Sequence, residues 1–149
     1  MNLKKMQSTA FLLLVVGGLF GCSSVPMGDS QRDAELKKFV NPAEKAGIYI
    51  YRNENFGAAN TMHIDVDNVP VGQTAAKTYL YKEVNPGKHK VTSTAENTDT
   101  IEIEVKQGTL SFIWQEVKMG LFAARTKLYQ VTDVVGKAGV LESNLAQSR

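Results

Sequence analysis

A repeated alternation of apolar and polar residues runs through the middle of this chain and restricts it to a β fold. Ile101, Ile103 and Val105 alternate with polar residues, as expected for a strand with one buried face. Similar runs recur at intervals of about ten residues and are separated by turn-forming residues. The pattern predicts a mainly β fold, a single antiparallel β-sandwich of about seven to eight short strands over residues 47–133.

The pattern changes to a helical one at the C-terminal end. Val134, Ala138, Leu141 and Leu145 follow one another at helical spacing, which predicts a short amphipathic helix over residues 134–149. The segment also contains two glycines, and each lowers helix propensity by about 1 kcal/mol relative to alanine. We therefore expect the helix to depend on packing against the sandwich.

The first 21 residues have the features of a signal peptide. Lys4 and Lys5 precede an apolar run over residues 10–20, which is too short to span a bilayer but suits the apolar region of a signal peptide. Residues 22–46 are predicted to form a flexible tether and then a short lead-in helix.

The end of the signal peptide, Leu19-Phe20-Gly21-Cys22, resembles the lipobox of bacterial lipoproteins. The resemblance implies cleavage before Cys22, a diacylglyceryl group on its sulfur and an acyl chain on the new amino group. Ser23, which stands where an Asp would retain the protein in the inner membrane, implies export to the bacterial outer membrane. We expect a periplasm-facing domain there, with exposure at the cell exterior as the alternative. The alternative is an ordinary secretory signal followed by a free thiol, which is unusual in an oxidising compartment.

The charge balance argues against a nucleic-acid partner. The chain has 17 Lys and Arg against 15 Asp and Glu, and loss of Lys4 and Lys5 with the signal peptide makes the mature chain neutral. Binding to DNA or RNA relies on clustered basic residues, which this sequence lacks. The single cysteine excludes an internal disulfide and a thiolate-rich zinc site.

Side chains suited to catalysis or metal binding are few. His63 and His89 each stand alone in a predicted strand, and Asp65 is the one acidic residue that would join them on a metal. We predict no metal, no cofactor besides the lipid on Cys22, and no enzymatic activity. The weakest alternative is a hydrolase of envelope polymers in which His63 and an acidic residue meet in a cleft.

Two surface features are candidates for binding. The first is an apolar loop with basic flanks over residues 117–127, whose candidate partner contacts are Met119, Leu121, Phe122 and Arg125. Such a loop can dock on a partner or touch a membrane. The alternative interpretation is that Leu121 and Phe122 fold back over one end of the core.

The second feature is a set of alternating tyrosines in two predicted strands: Tyr49, Tyr51, Tyr79 and Tyr81. Side chains two residues apart in a strand share a face, so these rings can line a groove for a glycan, a peptide or another small ligand. Tyrosines also cover the rims of sandwiches with their hydroxyl groups in water, which is the alternative.

The middle of the chain, over roughly residues 39–114, also resembles a known family. Its features are Ile48-Tyr49-Ile50-Tyr51-Arg52, the hairpin over residues 64–72, and Val84-Asn85-Pro86-Gly87-Lys88-His89. The segment is similar to an uncharacterised bacterial lipoprotein family known as a domain of unknown function, and to PEGA-like and transthyretin-like β-sandwiches. The resemblance implies structural roles for Gly72, Pro86 and Gly87, and it implies no catalytic residue.

These features together predict a membrane-anchored envelope lipoprotein that acts as a non-enzymatic binding or interaction module. Its expected partners are the membrane, through the lipid, and an envelope protein or glycan. The main alternative is a ligand receptor that uses the tyrosine-bearing sheet face.

Overall fold

The structure, a computed structural model, describes residues 24–149. The signal peptide predicted over residues 1–21 and the lipid predicted on Cys22 lie outside the described residues. The elements in chain order are α1 (Ser30–Leu36), β1 (Ala46–Arg52), β2 (Met62–Val66), β3 (Val69–Thr74), β4 (Thr78–Val84), β5 (Gly87–Thr94), β6 (Thr98–Val105), β7 (Leu110–Lys118), β8 (Arg125–Val131), α2 (Asp133–Leu141) and β9 (Asn144–Leu145). Between residues 24 and 149, no helix has the length and apolar character needed to cross a membrane.

The strands of the described residues form two sheets that face each other across a common core. One sheet has the order β8-β7-β1-β4-β9 and the other the order β3-β2-β5-β6. The prediction of a mainly β fold is confirmed, and β9 is a strand that the alternation did not predict. The pairing is not antiparallel throughout, because β7 pairs with β1, and β9 with β4, in parallel.

The core between the sheets is built from the inward-facing apolar residues of the alternating pattern. Ile48, Ile50 and Leu80 of the five-stranded sheet meet Ile64 and Val91 of the four-stranded sheet, and all five are fully buried. Full burial of such a side chain contributes about 1.5–3 kcal/mol. All seven residues of β1 are buried, because a second layer covers the outer face of its sheet.

That second layer consists of α1 and α2. The C-terminal helix is confirmed, but it ends at Leu141 and its buried side differs from the predicted stripe. Val134 is 80% exposed and Leu141 is 58% exposed, whereas the buried residues are Gly136, Gly139 and Val140. The glycines face the sheet because a Cβ at Gly136 would overlap Phe112, and a Cβ at Gly139 would overlap Tyr51.

Packing begins well before the predicted domain boundary at residue 47. Val25 is only 6% exposed, the Gly28 amide donates to the Leu145 carbonyl, and the Gln147 amide donates to the Pro26 carbonyl. The lead-in helix is α1, which Asp29 caps by accepting a hydrogen bond from the Arg32 amide at 2.8 Å. Any tether is therefore confined to the residues before Val25.

The two sheets are joined at both of their open sides. On one side the chain after β9 crosses from β4 to β3, where Ser148 bridges Gly72 and the Arg149 amide donates to the Val71 carbonyl. On the other side, Asn97 accepts from the Thr126 amide and Asp99 from the Leu128 amide, both at 2.8 Å. These contacts cover parts of β3, β6 and β8 that would otherwise be free sheet edges.

Candidate functional site

The loop between β7 and β8 projects its large apolar side chains into solvent. Met119, Leu121 and Phe122 are 80%, 87% and 98% exposed. The alternative that Leu121 and Phe122 cover the core is wrong. A small cluster formed by Met62, Val117 and Ala124 closes that end of the core instead.

A fourth exposed apolar residue comes from the neighbouring loop between β1 and β2. Phe56 is 53% exposed, and it borders a cleft of about 220 Å³ whose other wall is the loop over residues 118–124. We call Phe56, Met119, Leu121 and Phe122 the apolar end surface.

The backbone of the β7–β8 loop is held by one carboxylate. Glu96 accepts hydrogen bonds from the amides of Leu121 at 3.0 Å, Phe122 at 2.7 Å and Ala123 at 2.8 Å. These three bonds, with a smaller contribution from the charge of Arg125, lower the pKa of Glu96 to about 2. The exposed side chains therefore stand on a loop whose backbone donors are already satisfied.

Glu96→Gln is expected to loosen this loop, because a neutral amide oxygen replaces a charged acceptor. Hydrogen exchange of the Leu121, Phe122 and Ala123 amides should accelerate by about tenfold or more. Because the pKa of Glu96 is lowered, its hydrogen bonds stabilise the structure fully at pH values above 4.5, the ordinary pKa of a glutamate. This contribution is lost as the pH falls from there through about 2. Protection of the three amides in the parent chain should follow this course when exchange is measured by NMR.

Glu104→Gln is the matched control, because Glu104 is an exposed residue of β6 and should leave exchange in the loop unchanged. Equal exchange rates in the Glu96→Gln variant and the parent would contradict the role given to Glu96.

The loop that carries Phe56 is held by a buried arginine. The Arg52 guanidinium donates to the carbonyls of Asn60 at 2.8 Å, Phe56 at 3.1 Å and Gly57 at 2.7 Å. Arg52 is fully buried, and burial lowers the pKa of its guanidinium from the ordinary value. The side chain acts as the internal support of this loop, where a charged residue at the end of a strand would ordinarily suggest exposure.

A polar cluster lies in the interior beneath this end of the sandwich. The Gln115 amide accepts from the Thr74 hydroxyl at 2.5 Å and donates to the Ser93 hydroxyl at 2.7 Å. Ser93 also hydrogen-bonds the Thr126 hydroxyl at 2.7 Å. Buried polar groups that are satisfied in this way fix the relative positions of the strands that carry them.

Charges beside the apolar end surface are largely compensated. Lys118 forms an ion pair with Glu116 at 2.7 Å, and Lys127 forms one with Asp99 at 2.9 Å. Arg125, the predicted basic contact, is exposed and its charge acts on Glu96. The predicted contacts Met119, Leu121, Phe122 and Arg125 are therefore all at the surface, in a neutral setting.

The four tyrosines share a face, as predicted, but they do not form an open ligand groove. Tyr49, Tyr51 and Tyr79 are at most 2% exposed, because α1, α2 and their flanking segments cover this face. The Tyr49 hydroxyl donates to the Leu36 carbonyl and the Tyr79 hydroxyl to Asp33, both at 2.8 Å. Burial raises the pKa of Tyr49 to about 12. Tyr81 alone of the four is partly exposed.

The metal site considered for the two histidines is not assembled. His63 is exposed and contacts Gln73 at 3.3 Å, whereas His89 pairs with Asp67 at 2.6 Å and with the Asn85 carbonyl at 2.7 Å. Along β5, the register partner of His63 is Thr94, five residues from His89. Within the described part of the chain, no group of three His, Cys, Asp or Glu side chains is placed to hold a metal ion.

The hydrolase alternative requires His63 to meet an acidic residue in a cleft, and among the described residues the hydrogen-bond contact of His63 is to the Gln73 amide. His89 has a structural role instead. Its contacts tie the β2–β3 turn at Asp67 to the β4–β5 turn at Asn85, and its hydrogen bonds to Asp67 and Asn85 raise the pKa of the imidazole against the effect of burial. Asp67 and Asn68 form the turn of the hairpin over residues 64–72, with φ angles of 53° and 63°.

Comparisons with known proteins give a family and one relative. A family described as "Protein of unknown function (DUF2846)" matches residues 42–127, a range that includes Arg52, Glu96 and the β7–β8 loop. An "Uncharacterized protein" of Haemophilus influenzae is 30% identical over 148 residues, which cover 97% of this chain and 88% of the relative. No solved structure matches the chain.

Proposed function

Because the chain belongs to the family of proteins of unknown function DUF2846, we propose that this member is a lipid-anchored protein of the bacterial outer membrane whose sandwich is a non-enzymatic binding module. The proposal has two parts, an anchor at Cys22 and a contact surface at the apolar end surface. The proposal does not include the alternative function of a ligand receptor that uses all four tyrosines, because three of these side chains are buried.

The observation that carries the binding role is the exposure of Leu121 and Phe122, 87% and 98%, on a loop that Glu96 holds in place. A monomer gains nothing from such exposure, whereas burial against a partner contributes about 1.5–3 kcal/mol for each large apolar side chain. Because the backbone is already ordered, binding loses less conformational entropy than it would with a mobile loop.

The anchor is supported by the sequence Leu19-Phe20-Gly21-Cys22 and by the basic residues before the apolar run. Acyl chains contribute about 0.8 kcal/mol for each buried methylene, so two or more chains make an anchor that does not dissociate. A neutral mature chain has no electrostatic attraction to anionic lipids that would replace the acyl chains.

Cys22→Ser is expected to move the protein from the membrane fraction to the soluble fraction, because the acceptor sulfur of the lipid is lost. The distribution is measured by fractionation of cells that express the full chain. Ser24→Ala is the control and should leave the protein in the membrane fraction. Membrane retention of the Cys22→Ser variant would contradict lipid anchoring.

The double variant with Leu121→Ser and Phe122→Ser is expected to lose its partner while remaining folded. Both side chains are exposed, so stability should change by less than about 0.5 kcal/mol, whereas recovery of a specific partner should fall at least about tenfold. In-cell crosslinking followed by mass spectrometry measures the recovery of each protein.

Val134→Ser is the matched control, because Val134 is also an exposed apolar residue, at 80%, but lies on α2. The control should recover the same partner as the parent chain. Identical crosslinked proteins from the parent, the control and the double variant would count against the apolar end surface as the binding site.

A further inference from the structure

We infer that the membrane meets the sandwich at the side where Val25 and the C-terminal segment run, and that the apolar end surface faces away from the membrane and receives a protein with an apolar pocket. The inference rests on the proposed anchor at Cys22. It adds to that proposal an orientation of the domain, in which one named surface contacts the lipid bilayer and another contacts the partner protein.

The first step is the length of chain between the anchor and the fold. Val25 follows Cys22 by three positions, with only Ser23 and Ser24 between them, and a fully extended chain spans at most about 11 Å over three such steps. Val25 is buried in the core between the sheets, at 6% exposure. A lipid on Cys22 would therefore hold the sandwich close to the bilayer, with the surface around Val25 nearest to it.

The second step is the location of the apolar end surface along the strands. Arg52, whose guanidinium binds the Phe56 carbonyl, is the register partner of Thr78, the first residue of β4. Asn144 pairs with that same Thr78. The apolar end surface thus lies at the end of the sandwich where β4 begins, and the C-terminal segment starts near that end.

The third step is the direction of the two terminal segments. From Asn144 the C-terminal segment runs parallel to β4, so it leads away from the apolar end surface. The N-terminal segment lies antiparallel to it, with Met27 bridged to Ala146. The N-terminal segment, traced backwards from Gly28 to Ser24, therefore also leads away from the apolar end surface and towards Arg149. The predicted anchor therefore lies on the opposite side.

The surroundings of the apolar end surface favour a protein over a lipid as its occupant. Lys118 and Lys127 are engaged by acidic partners, so they are poorly placed to bind anionic headgroups. The cleft of about 220 Å³ beside Phe56 is large enough for an apolar side chain of a partner, and Phe122 would enter the partner's own pocket.

The experiment uses the full lipidated chain reconstituted in vesicles of phosphatidylethanolamine and phosphatidylglycerol, with nitroxide quenchers on some headgroups. Phe122→Cys and Arg149→Cys each introduce one thiol for a fluorophore, because the native Cys22 is consumed by the lipid. We expect quenching at position 149 to exceed quenching at position 122 at least about threefold. A photo-crosslinker at position 122 in cells should form protein adducts, and Leu121→Ser should remove them.

Quenching at position 122 equal to or stronger than that at position 149, or lipid adducts from position 122, would overturn the orientation and make the bilayer the occupant. The same preparations are floated with the vesicles to keep this result apart from the anchor. If the protein floats with the vesicles and quenching at position 122 equals or exceeds that at position 149, the orientation is overturned and the anchor is not. Failure of the protein to float would overturn the anchor and the orientation with it.

Discussion

Gly139→Ala should be among the most damaging small substitutions in this chain. The added Cβ would overlap the ring of Tyr51, which is 2% exposed and has no free space to move into. Alanine improves helix propensity by about 1 kcal/mol, but overpacking against a buried ring with no room to move costs about 3 kcal/mol, the upper end of the usual range. We expect a net loss of about 2 kcal/mol, seen as a fall in Tm of about 6–8 °C.

Lys137→Ala is the control for this prediction, because Lys137 is a partly exposed residue of the same helix and should change Tm by only a degree or two. A stability equal to or above that of the parent in the Gly139→Ala variant would mean that α2 does not rest directly on Tyr51.

Arg52→Met should destabilise the fold by about 3 kcal/mol and release the loop that carries Phe56. Hydrogen bonds to a charged group contribute about 1.5–3 kcal/mol each, and Arg52 makes three of them to carbonyls of that loop. Removal of a buried charge returns part of this loss, since its desolvation cost disappears. Urea unfolding measures the stability, and hydrogen exchange over residues 53–61 measures the release of the loop.

Arg52→Lys separates the charge from the shape of the guanidinium. Lysine keeps the charge but cannot present donors in a planar fork to three carbonyls, so its stability should fall nearly as far as that of the methionine variant. Lys88→Met, at an exposed residue of β5, is the control and should be nearly neutral. A change below about 0.5 kcal/mol in the Arg52→Met variant would show that the loop does not depend on Arg52.

The strands were predictable because each depends on a local pattern. The strands from β2 to β8 all lie within the predicted range of residues 47–133, since a half-buried strand must place its apolar residues at every second position. β9 could not be predicted, because it has two residues and gains its place only from the neighbouring β4.

The layer over the outer face of the five-stranded sheet was harder to predict. The alternation of Tyr49 and Tyr51 correctly indicates one face, but nothing in the pattern tells whether water or another element covers it. The cover depends on Gly136 and Gly139, which weaken the isolated helix and yet permit its close approach to the rings. Helix propensity therefore gives a misleading signal where packing decides the outcome.

The candidate site was predictable in part. An apolar loop with basic flanks stands out in the sequence, and Leu121 and Phe122 are exposed as the binding hypothesis requires. Glu96 and Arg52 were not predictable as supports, since each binds backbone groups far from it along the chain or within an irregular loop. Contacts of a side chain with backbone atoms leave no spacing that a sequence pattern can reveal.

The junctions along both sides of the sandwich limit how a partner can bind. Recognition by strand addition requires a run of free amides and carbonyls at a sheet edge, onto which an extended peptide can pair. On β3 the Val71 carbonyl already accepts from the Arg149 amide, and on β8 the Thr126 and Leu128 amides already donate to the side chains of Asn97 and Asp99. A peptide could add there only after displacing these contacts. The recognition proposed for the apolar end surface would therefore use complementary side-chain shape at an end of the sandwich, and not backbone pairing along an edge.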